Sequence, residues 1–402
     1  MSVIAKQRVG RINYLKSMCT GGERHETDFL GAVQSMLGGA QSVPVGRART
    51  GIYLLVKHAV RPGRNTVLLS PYTIPDVVNM VRLAGGVPVF LDCLPASTHI
   101  DIEQLQDMLK GDVACVLITH YHVNQDSLDE LRSLCAQRDV PLYDDCAIAF
   151  GGSVNGVPLG TATDGSIFSF SIYKFLNFFW GGLVTTKDPS LAKAIADEVS
   201  VWPRLGSATY LRHARTSVLY DLATRSMAFD LVTFRLLQRR AAACNQSVEL
   251  TYPRIEHREL DATLTSRPSL AAFAEWLRKL GDVQKMAEHR REIARIYRER
   301  LGPIMVSADS SQSCIAGSCF VNFPILVSPQ HRDQIHREAM LAGFDLGKAL
   351  YPNVHEMDAF SDIAGASDNV GAMVRSSLYL PTHFAVTPAY AVELSERLTR
   401  LL

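Results

Sequence analysis

The sequence predicts an α/β fold: a large domain built on a mostly parallel sheet, followed by a smaller C-terminal α+β domain. Three observations point there. Between about residues 46 and 187, short apolar β-branched runs alternate with stretches of helix length, the pattern of strands buried on both faces and joined by crossover helices. From about residue 200 the apolar period turns helical. A chain of 402 residues also exceeds the size at which one core keeps growing, and with 47% apolar residues it can fill two. The division expected is 1–250 for the large domain, with a helical insertion at about 200–250, and 251–402 for the smaller one.

Taken in order, the strand candidates of the first region are 66–70, 87–91, 114–119, 140–144, 166–171 and 182–185, with helices at 75–84, 101–110 and 126–138 between them. In open α/β sheets a ligand sits at the carboxyl ends of the strands. Residues 218–237 are largely apolar, with charges at 221, 225, 230 and 235. They read as a mostly buried or interface helix pair, with a membrane-surface helix as the sharper alternative. A long helix is expected over 269–301, interrupted near Gly281, then a strand at 319–327, a helix over 329–342 ended by Gly343, and a strand at 378–380. Thr387 as N-cap with Pro388 at the first helical position starts a closing helix that runs to Leu402.

Composition narrows the class of function. Lys and Arg total 41 against 40 Asp and Glu, which gives no electrostatic reason to expect nucleic acid. No run approaches the roughly 18–20 apolar residues that span a bilayer, and the first sixteen residues contain no continuous apolar stretch of the secretory kind. The eight cysteines are scattered without a CxxC pair, as expected of a reduced, cytoplasmic protein. A small-molecule site remains.

The stretch DGSIFSFSIYKFLNFFWGG, residues 164–182, places Lys174 in an apolar and aromatic run five residues after Ser169. Burying an unpaired ammonium is costly and lowers its pKa, which is what a Schiff-base lysine needs. The bland alternative is a lysine that snorkels out of a strand end. Asp144 and Asp145 close the run VPLYDD, with Asp145 29 residues before Lys174. A carboxylate there, beneath a cofactor ring, would keep a pyridine nitrogen protonated and make the ring an electron sink; a helix N-cap or a metal ligand is the plainer reading. The third element, VGRARTGIYLL at 45–55, looks like a helix N-terminus. Its backbone amides and dipole would hold a phosphate, with Arg49, Thr50 and Ser169 as side-chain donors.

In this order and spacing the chain resembles the DegT/StrS sugar aminotransferases, fold type I enzymes that use pyridoxal 5′-phosphate (PLP), over roughly residues 30–402. The resemblance is carried by GRARTGIYLL, LLSPYTIPDVVNMVRLAGGVPVFLD, VLITHYHVNQDSLDELRSLCAQRDVPLYDDCAIAFGG, FSFSIYKFLNFFWGG and SSLYLPTH. It implies a seven-stranded sheet in the large domain. It implies Lys174 as the Schiff-base lysine, Asp145 on the pyridine nitrogen, and Ser169 with Ala48, Arg49 and Thr50 around the phosphate. Ala147, in the turn after the acidic pair, joins the cofactor-binding set, and Tyr72 or Ile74 covers the outer ring face. The implied activity moves an amino group from an amino-acid donor, glutamate in the family, to a nucleotide-linked keto-sugar. A homodimer with shared active sites is implied as well, Arg267 being the candidate that reaches the neighbour's phosphate, where a plain helix-flanking arginine is the alternative.

Departures from the pattern bear on substrate more than on cofactor. Ile148 stands where relatives carry Gln or His, Arg47-Ala48-Arg49 replaces a Ser-Gly-Thr loop, and Phe179-Trp180-Gly181-Gly182 replaces Gly-Glu-Gly-Gly. An aminotransferase acting on a non-sugar ketone or aldehyde is therefore a rival, as is a non-catalytic regulatory dimer. The dehydratase branch of the family has His in place of the lysine, which Lys174 disfavours. No metal, no nucleic acid and no stable membrane insertion are expected.

Overall fold

The computed structural model describes residues 14–125, 127–171, 174, 180–223, 229–243, 256–257, 259–307, 310–348 and 351–402. Among the described residues, nine short strands fall in the first half of the chain: β1 (Gln41–Val45), β2 (Thr66–Leu69), β3 (Val87–Phe90), β4 (Val113–Thr119), β5 (Leu142–Asp145), β6 (Ser153–Val154), β7 (Val157–Pro158), β8 (Gly165–Ser169) and β9 (Gly182–Thr186). Seven of them form one sheet in the order β1-β9-β8-β5-β4-β2-β3. The run from β3 to β8 is parallel, and β9 lies antiparallel to both β8 and β1. The seven-stranded, mostly parallel sheet is thus present.

Alternation within the strands explains why this sheet needs helices on both faces. Leu68, Val116, Ile118, Leu142, Phe168 and Leu183 enter one core. Their strand neighbours Val67, Leu69, Cys115, Leu117, Tyr143, Ile167 and Val184 enter the other, as a period of two requires. The first core is closed by helices Glu23–Met36, Leu128–Gln137 and Leu270–Leu280. The second is closed by helices Ala48–Ala59, Pro75–Leu83 and Pro189–Ser200. Phe29, Phe170, Phe273 and Trp276 form an aromatic knot in the first core, with ring centroids 4.8–6.0 Å apart. Each such ring contributes about 1.5–3 kcal/mol by burial. The knot anchors the chain on either side of Lys174, since the Phe170 N–H donates to the Gly181 carbonyl at 3.0 Å. A side chain at Gly181, whose φ is 132°, would strike Trp276.

The C-terminal part has its own core around a three-stranded antiparallel sheet of β10 (Asn322–Leu326), β11 (Gly347–Lys348) and β12 (Ser377–Pro381), with β12 central. Tyr297, Phe323, Ile325, Leu378, Leu380, Leu394 and Leu398 fill it. The closing helix is Pro388–Thr399, and the Thr387 hydroxyl caps it by accepting from the Tyr390 N–H at 3.1 Å.

Several expectations are corrected. The helix start expected at 45–55 is split: Val45 ends β1, and the helix begins at Ala48. The interruption expected near Gly281 in the helical stretch 269–301 is present: it forms two helices, Leu270–Leu280 and Val283–Leu301, parted at Gly281 and Asp282. Helix Ser207–Ala223 and helix Phe234–Ala243 flank a π-helical turn, Phe229–Thr233. The expected burial of this region fails within one chain: Leu219, Leu222, Leu231, Val232 and Leu236 are 46–67% exposed. Residues 224–228, which that expectation also covers, lie outside the described residues. No described helix is long and apolar enough to cross a membrane.

Candidate active site

Strand order places the site. From β2 the chain steps outward to β3, then returns past β2 to β4 and β5. The order reverses between β2 and β4, and the crevice at such a reversal is where α/β sheets take ligands. The residues that follow β2, β4, β5 and β8 therefore converge on one edge.

Asp145 is the last residue of β5 and is buried. Its Oδ1 accepts the Ala147 N–H at 2.9 Å, and its carbonyl accepts the His120 N–H at 3.0 Å. Burial raises its pKa, while Lys174, the Ala147 amide and His120 pull it back and Asp144 pushes it further up. Lys174 follows β8, its own N–H donating to the Ser171 carbonyl at 3.0 Å. Burial lowers the Lys174 amine to about 8; Asp145 opposes that shift, and Arg49 adds to it. Each group acts on the other's ionisation, so the half-buried Lys174 and the buried Asp145 lie within electrostatic reach of one another.

Ser169 ends β8 and is buried. Beside it, helix Ala48–Ala59 starts without a side-chain cap, its N-cap residue Arg47 being extended, so first-turn N–H groups are left for an anion. Gly182 lets this helix start approach β9, because a Cβ there would lie 2.8 Å from the Ala48 Cα. Thr50 is less free than its sequence position suggests: its hydroxyl donates to the Leu264 carbonyl at 2.9 Å. Arg49 is ion-paired with Asp76 at the start of helix Pro75–Leu83, and His257 Nε2 meets the same Asp76 oxygen at 2.9 Å. Arg47 lies flat on Trp180, its guanidinium carbon 3.3 Å from the ring centroid. Burial, with Arg49 adding to it, lowers Arg47 to about 9. Two neighbouring guanidiniums near an uncapped helix start form a region suited to a phosphate.

Tyr72 and Ile74 are separated by the fold. Tyr72 is fully buried, its hydroxyl paired with that of Tyr379 and its ring 4.8 Å from that of Tyr121. Ile74, the N-cap of helix Pro75–Leu83, is partly exposed, as is Ala147. Arg267 lies within its own chain's framework: its Nε donates to the Trp202 carbonyl at 2.9 Å.

Sequence reasoning did not single out the wall built by β4. The His120 Nδ1 accepts the Gln125 N–H at 3.2 Å, so its proton sits on Nε2, which faces Asp144 Oδ2 at 3.5 Å. Thr163 donates to the other Asp144 oxygen. His120, Asp144 and Cys146 stand close enough to hold a metal ion, yet a ring with its proton on Nε2 offers no lone pair there. His120 thus turns its proton toward Asp144 without completing a hydrogen bond among the described residues. Only the HxH spacing after a buried strand could have pointed to it.

The signature of the DegT/DnrJ/EryC1/StrS aminotransferase family matches residues 7–214. Among curated relatives, MosB of Rhizobium meliloti is 28% identical over 166 residues, 41% of this chain and 32% of its own length. GDP-perosamine synthase of Vibrio cholerae is 26% identical over 164 residues, 41% of this chain and 44% of its own. The chain thus spans about a third to under half of the length of these relatives. In fold the similarity extends further. Helicobacter pylori PseC, an aminotransferase involved in the biosynthesis of pseudoaminic acid, superimposes with a TM-score of 0.75, covering 99% of this chain and 98% of its own at 15% identity. A signature that takes in just over half of the chain, together with the sheet order and the lysine–aspartate pair, places this protein in the DegT/DnrJ/EryC1/StrS aminotransferase family.

Proposed function

We propose that the protein is a PLP-dependent aminotransferase that moves an amino group from an amino-acid donor, glutamate or a close analogue, to a ketone on a sugar, in nucleotide-linked form. The observation that carries this reading is the pairing of the half-buried Lys174 with the buried Asp145, each shifting the other's ionisation. The residues fit the cofactor. An amine whose pKa is lowered to about 8 is available as a nucleophile and a base near neutral pH. Asp145 spends one oxygen on the Ala147 amide, which leaves the second to hold a proton on the cofactor's ring nitrogen. The helix start at Ala48, with Ser169, Arg47 and Arg49, supplies N–H, hydroxyl and guanidinium donors for the phosphate.

When bound, PLP supplies the electron sink for the substrate's carbon acid. Lys174 then moves a proton to and from that carbon. Asp145 keeps the ring nitrogen protonated and is itself held in place by two backbone amides. The keto-sugar half of the reading draws support from relatives such as GDP-perosamine synthase.

A second reading, a non-sugar ketone or aldehyde as acceptor, is favoured by Arg47 stacked on Trp180 beside the site and by the apolar, buried Ile148 after Asp145. The test is to incubate the PLP-loaded protein with glutamate and, in parallel, a nucleotide-linked 4-keto-6-deoxyhexose or a panel of simple ketones. Amination of the nucleotide-linked sugar is expected. Turnover confined to the simple ketones would move the assignment to the second reading, and no turnover with any pair would sink the aminotransferase proposal. We infer further that the enzyme works as a homodimer, with the exposed apolar side chains of helix Ser207–Ala223 and of the π-helical turn in or near the interface.

A further inference from the structure

His122 lies in the turn that follows β4, at the point where the strand order reverses. Its ring is buried, 1% exposed, and packs 4.9 Å from the ring of Tyr379 on β12. The Nδ1 atom accepts the backbone N–H of Asn322 at 3.2 Å. An imidazole that accepts at Nδ1 carries its proton on Nε2. That Nε2–H meets no acceptor among the described residues, although leaving a buried donor unmade is costly. Burial also keeps the ring neutral, pushing its pKa down to about 3, with Arg290 and Lys174 acting in the same direction.

The surroundings say what such a donor is for. His122 follows β4 at the reversal of strand order, on the edge that also receives the residues after β5 and β8, and the charge of Lys174 is among those that act on it. The neighbouring tyrosine hydroxyls are engaged elsewhere: those of Tyr379 and Tyr72 bond each other, and that of Tyr121 donates to the Tyr72 carbonyl. With Nδ1 occupied, the ring can only donate, so its missing partner is an acceptor oxygen. A neutral donor holds a carbonyl or hydroxyl oxygen as well as it can hold anything, whereas a carboxylate is held about twice as strongly by a cationic donor.

We propose that the His122 Nε2–H binds a carbonyl or hydroxyl oxygen of the ketone-bearing substrate next to Lys174, making His122 a specificity-determining residue for the acceptor and not for the amino-acid donor. This rests on the aminotransferase reading above. His122 stays fixed by the Asn322 amide, so the oxygen is met by a donor that needs no reorientation.

The test uses the full-length, PLP-loaded protein as wild type, His122→Phe and His122→Gln. Glutamate-driven loss of the bound cofactor's visible absorbance reports the donor half. Amination of a nucleotide-linked 4-keto-6-deoxyhexose reports the acceptor half. The expected result for His122→Phe is an unchanged donor half, within about twofold, and a KM for the keto-sugar raised about tenfold to a hundredfold, the range of one lost buried hydrogen bond. His122→Gln, which keeps an N–H donor, recovers part of the loss. Equal loss in both halves would assign His122 a structural role and overturn the proposal, as would a His122→Phe enzyme with an unaltered KM for the sugar. If the wild type itself responds to glutamate but aminates no sugar, the keto-sugar reading fails, and the proposal with it.

Discussion

The two walls of the site differ in how the chain builds them. On the β5 and β8 side, Asp145, Ala147, Ser169 and Lys174 fall within thirty residues of sequence, each at or just after the end of a strand. On the β2 and β4 side, Tyr72, Tyr121, His122 and Tyr379 are gathered from segments up to 307 residues apart. The first wall carries ionisable groups whose basicities are displaced toward neutrality, as chemistry requires. The second carries groups that burial keeps neutral, as for Tyr72 and His122. On the proposed function, the groups of the first wall carry the reaction from a short stretch of chain, and those of the second are drawn from across the tertiary structure.

The contrast breaks most sharply at the lysine. Lys174→Ala is expected to lower turnover by about 10²–10⁴-fold, the usual worth of a positioned proton-transfer group, measured as glutamate-driven amination. Asp145→Asn removes the charge but keeps the shape and the Ala147 contact. A loss of about 10²–10³-fold is expected, in keeping with one preorganised electrostatic partner, with the fold intact by circular dichroism. If Asp145→Asn were as active as wild type, the chemical wall would not include β5.

The pH dependence sharpens the same side. Lys174 is lowered from 10.5 to about 8, so below pH 8 the amine is protonated and cannot attack, and above it the lone pair is free. Capture of PLP by cofactor-free protein should therefore rise about tenfold per pH unit up to pH 8 and then level off. A rise that continued to pH 10 would mean an unburied lysine. The sign for stability follows the same ordering. Because the folded pKa lies below the unfolded one, the folded cofactor-free chain binds fewer protons between about 8 and 10.5, and its stability rises with pH across that window.

Smaller effects are expected on the recognition wall. Tyr379→Phe removes one half of the hydroxyl pair and leaves that of Tyr72 behind, at a cost of about 1–3 kcal/mol in chemical denaturation. Smallest of all is Leu219→Ser on the exposed helix face: within about 0.5 kcal/mol for the folded chain, but with weakened self-association if that face is the dimer interface, read by sedimentation.

Much of this was legible because it is local. The strands 66–69, 87–90 and 113–119 are continuous apolar runs, and such runs announce a parallel sheet whatever their partners. Lys174 and Asp145 stood out because a lone lysine among aromatics and an acidic pair at a strand end contradict their surroundings. The strand β1 was not legible: QSVPV is short and contains Pro44, and it becomes a strand only by lying along β9. Arg49 and Thr50 look like free donors in sequence, but Asp76 and the Leu264 carbonyl, which engage them, arrive from elsewhere in the chain. The exposed face of helix Ser207–Ala223 misled for the opposite reason, since apolar residues signal burial without saying in which chain.

The most direct test of the lysine assignment is to load the protein with PLP, reduce it with borohydride and map the modified peptide by mass spectrometry. The account predicts one phosphopyridoxyl group per chain, on Lys174, lost in Lys174→Ala. Labelling of another lysine, or no labelling at saturating PLP, would contradict it.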